Sequence, residues 1–490
     1  MKTSRLHFMG IGGQGISAVA QMAQLADNTV TGCDQRVSAT VHALEQAGIA
    51  VQIGHSAEHL TEVDALIISP AVPALDPHNP ELLAAQQRGI PVRTWQELLG
   101  ELMQGKCVLS VSGVHGKGTT TSMLALALVE AGLDPTCVIG AVVPRFGANY
   151  RLGQSEYFVN EADEFNHNFW HYHPRLVIVT SIEYEHPEFF PDYESFLAAF
   201  EHFIRGMDMQ SEWPLPPTVI LNADSPGCLE LWSRIRDWPG KVLTYSTHGS
   251  PLLNEPATYE AYDVHLEGET SFRVRTRVGA SISAQQIIRL QLPGAYNVEN
   301  ALAALAAAHT VGVEIETIAR ALEGFGGNRR RFEIRHQGPL MVDGQILDVM
   351  LVDDYAHHPT AIDATLSAAR RRYPGQRLVA VYQPHMYSRT KVFFEQFVHA
   401  FDAADLVLIA DIFPAREHDT GVIHARDLVA AIAQRPQFAR GATHVWHSGS
   451  VEDTVRLLSS LLRSGDLVVI MGAGDIYTVT ERVLQNAEQA

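Results

Sequence analysis

The chain has 490 residues, 46% hydrophobic and 19% charged, and a formal net charge of −19. That length asks for about two to four domains, and an acidic chain without a long basic run lacks the electrostatic footprint of a nucleic-acid binder. No apolar run reaches the ~18–20 residues of a membrane helix, and the start of the chain shows no signal-peptide pattern. The four cysteines (Cys33, Cys107, Cys137, Cys228) form no C-x-x-C pair, so the spacing predicts neither a disulfide framework nor a structural zinc site, and fits a reducing cytoplasm.

The first predicted strand, "RLHFMGI", runs into "GIGGQG" and then a helix-like stretch to about Ala26. The spacing is G-x-G-x-x-G, and Asp34 lies 19 residues beyond Gly15. Taken alone this is the dinucleotide fingerprint and predicts a nicotinamide cofactor. Strand-like and helix-like runs alternate up to "PVRTWQELLGELM", which argues a parallel α/β layer. A second start, "KCVLSVSG", meets a glycine-rich turn and a long helix pattern, with further strands at "EYFVNEAD" and "RLVIVTSI". Around 263–292 the pattern alternates more like antiparallel strands, and "NVENALAALAAAHTVG" reads as an Ala-rich helix capped near Gly312. After "GFGGNRRRF" the alternation restarts through "MLVDDYAHHP", "RLVAVYQP", "ADLVLIADIF" and "GDLVVIMGAGD". The pattern predicts three α/β domains, 1–106, 107–328 and 329–490.

"SVSGVHGKGTTTSML" carries the most chemistry. A strand ends, Gly113 and Gly116 flank Val114 and His115, Lys117 follows, and three threonines open a helix. Backbone N–H groups of such a turn point at an anion, and the helix N-terminus adds partial positive charge. Lys117 supplies a mobile cation for β- and γ-phosphates, and a threonine hydroxyl can ligate Mg²⁺. The usual G-x-x-x-x-G-K-[ST] is not met: Gly118 stands where a hydroxyl residue normally follows the lysine. At the end of another strand, "VNEADEFNHNF" gathers Glu161, Asp163 and Glu164. Three acids this close repel one another unless a cation gathers them, although composition alone equally allows a solvated acidic turn.

"GVHGKGTTT" resembles the G-T-H-G-K-T-T loop of the Mur ligases, ATP-dependent enzymes of peptidoglycan synthesis. Its Gly118 is similar to the G-K-G-S of folylpolyglutamate synthetases in the same superfamily. The resemblance implies that Gly113, Val114, His115, Gly116, Lys117, Gly118, Thr119 and Thr120 hold ATP. "EADE" matches the family's segment whose first Glu, here Glu161, bridges metals near the γ-phosphate. "SIEYEHPEFF" resembles I-E-x-D-H, which makes His186 a metal ligand and sets Glu185 in place of Asp. Mg²⁺ is therefore assigned to Thr119 (or Thr120), Glu161 and His186. "LPGAYNVENALAA" resembles G-x-H-N-x-x-N-A, so Asn297 and Asn300 are expected at the adenine, with Tyr296 replacing His; helix capping by Asn297 is compatible with this. "NRRRFE" matches an R-R-F segment whose Arg330 and Arg331 bind phosphate or pair with surface acids.

"LVDDYAHHPT" resembles D-D-Y-x-H-H-P-T. It implies Asp353 or Asp354 at the ATP ribose or a metal-bound water, and His357 and His358 beside the reacting carboxylate. "YQPHMYSRTK" resembles Q-P-H-x-[YF]-[ST]-R-T and places His385 and Arg389 on the sugar-nucleotide side, while "MGAGDIYTV" closes the last sheet. The matches follow one another in order over essentially the whole chain. The family likeness implies an N-terminal Rossmann-like UDP-binding domain, a central P-loop ATPase-like domain with a mixed sheet, and a C-terminal Rossmann-like domain. It also reassigns the opening turn: Gly12, Gly13, Gln14 and Gly15 receive the diphosphate of a UDP-sugar, and Asp34 a uridine-side contact. Within the family, "GIGGQGISAVA", "QPHMYSRTK" and "MGAGDIY" are most similar to the branch that joins L-alanine to the lactyl carboxylate of UDP-N-acetylmuramate through an acyl phosphate. The alternatives are the recycling branch that attaches a tripeptide, and a nucleotide-binding relative whose catalysis is impaired at Gly118, Glu185 and Tyr296. Either ligase reading implies small-molecule partners only, no nucleic acid, no membrane insertion, and a monomer or homodimer whose domains stand open without ligands.

Overall fold

The computed structural model describes residues 3–70, 72–210, 213–250, 255–277, 286–438 and 444–489. Its strands fall into three sheets, each continuous with one stretch of the chain. The first contains β1 (Arg5–Met9), β2 (Thr29–Asp34), β3 (Ala50–Ile53), β4 (Ala65–Ile68) and β5 (Val92–Thr94), in the order β3-β2-β1-β4-β5 and all parallel. Leu6 to Met9 are buried, as a central parallel strand requires. The chain leaves β1 to one side and later returns to the other, so a crevice opens at the carboxyl end of β1. The glycine turn lies there.

The second sheet comprises β6 (Cys107–Ser112), β7 (Thr136–Val143), β8 (Ala148–Arg151), β9 (Tyr157–Glu161), β10 (Leu176–Val179), β11 (Thr218–Asn222), β12 (Lys241–Ser246), β13 (Tyr259–His265), β14 (Thr270–Thr276) and β15 (Ile287–Leu290). Its order is β15-β14-β13-β12-β11-β10-β6-β9-β7-β8. The middle is parallel, while both edges are antiparallel: β7 with β8, and β13–β14–β15. The order reverses at β6, again placing a strand's carboxyl end at a switch point. From it runs the helix Lys117–Glu130, buried from Gly118 through Leu128. One side meets the sheet and the other the helix Ala295–Thr310. Ala301, Ala303, Ala304, Ala306, Ala307 and Ala308 of that second helix are buried; their small side chains let two helices and a sheet approach closely, which explains the alanine-rich run.

The third sheet holds β16 (Glu333–Val342), β17 (Gln345–Asp354), β18 (Arg377–Tyr382), β19 (Leu406–Ala410), β20 (Val445–Gly449) and β21 (Asp466–Met471), ordered β16-β17-β21-β18-β19-β20. Only the β16–β17 hairpin is antiparallel. It turns at Asp343 and Gly344, both at positive φ (46° and 77°), the geometry of a two-residue hairpin turn. No helix among the described residues is long and apolar enough to cross a membrane.

The joints are specific. Tyr150 Oη donates to Gln21 Oε1 across the first two domains (2.5 Å). Where the second passes into the third, Arg329 N–H donates to the Val142 carbonyl (3.0 Å), next to Asn328, whose Nδ2 donates to the Gly118 carbonyl within the second domain (3.1 Å). Instead of the expected open arrangement, the second and third domains are also linked by ion pairs at the site.

Candidate functional site

The turn after β6 is shaped by two glycines at positive φ, Gly113 (122°) and Gly116 (79°). A Cβ at either would collide, with Thr180 at Gly113 and with the Asn300 amide oxygen at Gly116. The loop is strapped down by Val114 N–H to the Ser181 carbonyl (3.0 Å) and His115 N–H to Ser181 Oγ (3.1 Å). Gly118 has a local reason too: its Cβ would stand 3.1 Å from Glu161 Oε2, so glycine lets that carboxylate close against the helix start. Three of the four hydroxyls here are engaged: Thr120 donates to Asn300 Oδ1 (3.2 Å), Thr121 to the Lys117 carbonyl and Ser122 to that of Gly118 (both 2.8 Å). Among the described residues the Thr119 hydroxyl has no protein partner.

Lys117 Nζ donates to Glu164 Oε2 (2.7 Å) and lies 3.6 Å from Asp163 Oδ1. Burial opposes its charge, yet Glu164, Asp163 and Glu161 outweigh burial and raise its pKa. Burial likewise pushes the Glu164 carboxyl up, with Lys117 opposing. Glu161 Oε2 accepts the Gly140 N–H (2.8 Å). His186 sits at φ 56°, its Nε2 3.7 Å from Glu164 Oε1 and its Nδ1 3.1 Å from Glu188 Oε1. Burial would lower the imidazole, but Glu188, Glu185, Glu164 and Asp163 raise it. Ligand atoms of Asp163, Glu164 and His186 all lie within 4.8 Å of one another. The predicted trio of Thr119, Glu161 and His186 is thus regrouped: His186 clusters with Asp163 and Glu164, while Glu161 faces Gly118 and Gly140.

The stretch Glu183–Glu188 bridges the second and third domains. Glu183 pairs with His115 Nε2 on one side and accepts from Thr360 Oγ1 (3.2 Å) on the other. Glu185 accepts from Arg389 (2.5 Å) and Glu188 pairs with Arg416. Burial would raise Glu185, but the Arg389 guanidinium holds it well below the carboxylate range. His358 lies 3.7 Å from Glu183 and 3.9 Å from Glu185; its Nε2 is buried without a hydrogen-bond partner, and burial lowers its pKa to about 4. His357 is also lowered by burial and Arg389. The two tautomers differ. His357 Nδ1–H donates to the Tyr355 carbonyl (3.0 Å), which leaves a lone pair on Nε2; His358 Nδ1 accepts the Thr360 N–H (3.4 Å), which puts the proton on Nε2.

Several expected residues are placed differently. Asn297 and Asn300 spend their amides inside the protein: Asn297 Nδ2 donates to the Pro293 carbonyl (2.7 Å), Asn300 Nδ2 to Asn297 Oδ1 (3.3 Å). Asn300, held by Asn297, braces the phosphate loop through Thr120 and its close approach to Gly116. Asp353 is turned away from the site, because its oxygens accept from Arg335 (2.7 Å) and Thr480. Its neighbour Asp354 accepts from Phe332 N–H and Ala356 N–H (both 2.7 Å) and faces Arg331 electrostatically. Arg331 stacks over Tyr355 (4.8 Å) and makes no ion pair among the described residues; Arg330 donates to the Gly472 and Gly474 carbonyls instead. His385 and Arg389 gather at Glu185 and at each other (3.3 Å), not at the glycine turn.

At that turn Gly10 alone has positive φ (74°). Gly12 is required because Asp34 Oδ2 accepts its N–H (2.9 Å) and would crowd a Cβ. Gly15 lets the Trp95 ring approach, and Gly13 caps the helix Gln14–Leu25. Asp34 therefore locks the turn. The side chain of Gln14 lies outside the described residues. Sequence reading missed Glu164 as the lysine's partner, as well as Glu188, Arg416 and Asn328. Glu164 was visible in "EADE"; the others carry no local pattern, since their partners lie far away in sequence.

Family models describe the same stretches. "Mur ligase family, catalytic domain" matches residues 5–106, "Mur ligase middle domain" 111–308 and "Mur ligase, glutamate ligase domain" 330–474. The chain is 37% identical over 489 residues to the UDP-N-acetylmuramate–L-alanine ligase of Acetivibrio thermocellus, covering 99% of this chain and 97% of that one. Its fold is similar to the UDP-N-acetylmuramate–alanine ligase of Thermotoga maritima (TM-score 0.78, 24% identity, 99% of each chain) and to a murein peptide ligase of Psychrobacter arcticus (TM-score 0.70, 25% identity, 99% of each chain). A phosphate loop facing gathered carboxylates, within three sheets that match these models along their length, makes this chain a member of the Mur ligase family.

Proposed function

We propose that the chain ligates L-alanine to the lactyl carboxylate of UDP-N-acetylmuramate, using ATP, in peptidoglycan precursor synthesis. One observation carries the reading: the phosphate loop, the carboxylate cluster and the histidines of the third domain converge through Glu183 and Glu185 on one site. Residues 1–106 receive the UDP-sugar at Gly12–Gly15, 107–328 hold ATP, and 329–490 position the acceptor amine.

In the first step a carboxylate oxygen attacks the γ-phosphorus and ADP leaves, giving an acyl phosphate. The N–H groups of Gly113, Gly116 and Lys117 and the Lys117 ammonium face the phosphates, where charge spreads in the transition state; those of Val114 and His115 hold the loop to Ser181 instead. Arg331, which makes no direct ion pair among the described residues although Asp354 lies in its field, suits the same anion. Glu161, Asp163, Glu164, His186 and the unengaged Thr119 hydroxyl offer a set rich in hard oxygens that fits Mg²⁺. When bound, the ion neutralises charge on the transferring phosphoryl group. In the second step the amine attacks the acyl carbon and phosphate leaves. His358 Nε2–H is placed to donate to the substrate, and His357 Nε2, neutral at working pH, to accept the amine proton.

The test is phosphate release from ATP and UDP-N-acetylmuramate over a panel of acceptors. L-Alanine is expected to stimulate release well above the acceptor-free rate. Stimulation by the tripeptide L-alanyl-γ-D-glutamyl-meso-diaminopimelate alone moves the assignment to the recycling reaction, and no stimulation by any acceptor refutes the ligase reading.

A further inference from the structure

The first domain contains a second cluster of metal-binding side chains that the ligase reaction does not use. His7 on β1 and Cys33 on β2 share one face of the sheet, since His7 is in register with Thr31, two residues before Cys33. Above them lie His59, on the short 3-10 turn Ala57–Leu60, and Glu81, in the first turn of the helix Pro80–Arg88. His59 Nδ1 is 2.6 Å and Cys33 Sγ 3.1 Å from the Glu81 carboxylate, and His7 Nε2 is 3.9 Å from it. The four donor atoms all lie within 4.8 Å of one another. His55 stands beside them, its Nδ1 3.2 Å from Cys33 Sγ.

Two features argue against a merely satisfied polar core. His7 is fully buried and its Nε2 has no hydrogen-bond partner, an arrangement that folded proteins avoid. Its other nitrogen, Nδ1, is held by Thr31 Oγ1 at 2.9 Å; with the proton there, Nε2 presents its lone pair to the cluster, as an outer partner does for a ligating histidine. Second, Glu81 is fully buried with no Arg or Lys beside it among the described residues; its oxygens meet the Ser56 N–H (3.1 Å), His59 Nδ1 and the Cys33 thiol, so positive charge beside this buried carboxylate comes from imidazoles or from a bound ion.

We propose that His7, Cys33, His59 and Glu81 form a structural binding site for a zinc-class divalent transition ion, with His55 at its margin. Nitrogen, sulfur and one carboxylate oxygen suit a borderline-soft ion, not Mg²⁺. Bonds of about 2.0–2.3 Å around a tetrahedral centre would hold such donors within about 4 Å of one another, so shifts of an ångström or less complete the site. Binding displaces the Cys33 thiol proton to solvent. The ion would tie four separate chain segments together behind the glycine turn, whose Gly10 and Ile11 N–H groups donate to the Cys33 carbonyl (2.9 and 3.0 Å).

The experiment is titration of the full-length, metal-stripped protein with Co²⁺ and then Zn²⁺ in excess Mg²⁺. The other three cysteines are buried with no metal-ligand cluster around them among the described residues, so a thiolate-to-cobalt charge-transfer band reports on Cys33. Expected are such a band saturating near one equivalent, its loss when Zn²⁺ is added, and its absence in Cys33→Ala. Zn²⁺ should also raise the melting temperature of the wild type. His59→Gln, at a partly exposed position, keeps the test open if Cys33→Ala fails to fold: it should weaken Co²⁺ binding at least tenfold. No charge-transfer band in the wild type, a band surviving Cys33→Ala, or unchanged affinity in His59→Gln would overturn the proposal.

Discussion

Lys117→Ala is expected to lower phosphate release in the presence of all three substrates by on the order of a hundred- to a thousandfold. Lys117 opens the helix that follows the glycine turn, and its ammonium is already deprived of water. Its partner Glu164 keeps the ammonium charged against burial. Loss of Lys117 also strands a buried carboxylate, so a melting curve belongs beside the rate. The variant should still bind UDP-N-acetylmuramate, because the site proposed for it lies in the first domain; retained turnover would refute the loop assignment.

Arg389→Met is expected to cost about 3–5 kcal/mol of stability, since it leaves Glu185 buried without its cation. Arg389 and Glu185 are 2% and 4% exposed, and they join the second and third domains. Adding Glu185→Gln removes the stranded charge and should recover much of that stability without restoring turnover. The pH dependence has a definite sign. Glu188, whose neighbour His186 holds its pKa down to about 2 against burial, contributes stability that is present above its unfolded value of 4.5 and is lost as pH falls through about 2. Glu185 behaves likewise in the wild type, its folded value also being depressed. In Arg389→Met the Glu185 value rises, so acid unfolding should begin at higher pH. Denaturant midpoints across acid pH measure this; identical curves for wild type and variant would contradict the bridge.

Residues whose work is done by their own backbone were readable from sequence. Gly113, Gly116 and Lys117 announce a phosphate turn because strand, turn and helix N-terminus follow one another directly. The Ala-rich helix was legible as a helix, and its burial against Lys117–Glu130 explains its composition. What sequence could not show is which of two adjacent groups faces the site. Asp353 and Asp354 alternate across β17, and only packing against Arg335 and Thr480 reveals that Asp353 points away. Arg389 and Glu185 are 204 positions apart, so a motif naming each says nothing about their pairing. The same holds for the cluster around Cys33, built from four stretches with no shared spacing.

The glycine turn shows how a local motif can be right about geometry and silent about ligand. Asp34 sits where a dehydrogenase holds a ribose, yet here its carboxylate is engaged by Gly12 N–H and Arg36 N–H. Its visible work is to hold the turn in shape.

Transfer of carboxylate oxygen tests the central claim most directly. UDP-N-acetylmuramate with both oxygens of its lactyl carboxylate replaced by heavy oxygen is incubated with ATP, L-alanine and enzyme, and the released phosphate is analysed by mass spectrometry. An acyl phosphate requires the carboxylate oxygen that attacked phosphorus to depart with it, so one labelled oxygen should appear in phosphate for each amide formed. Amide product accompanied by unlabelled phosphate would contradict the account.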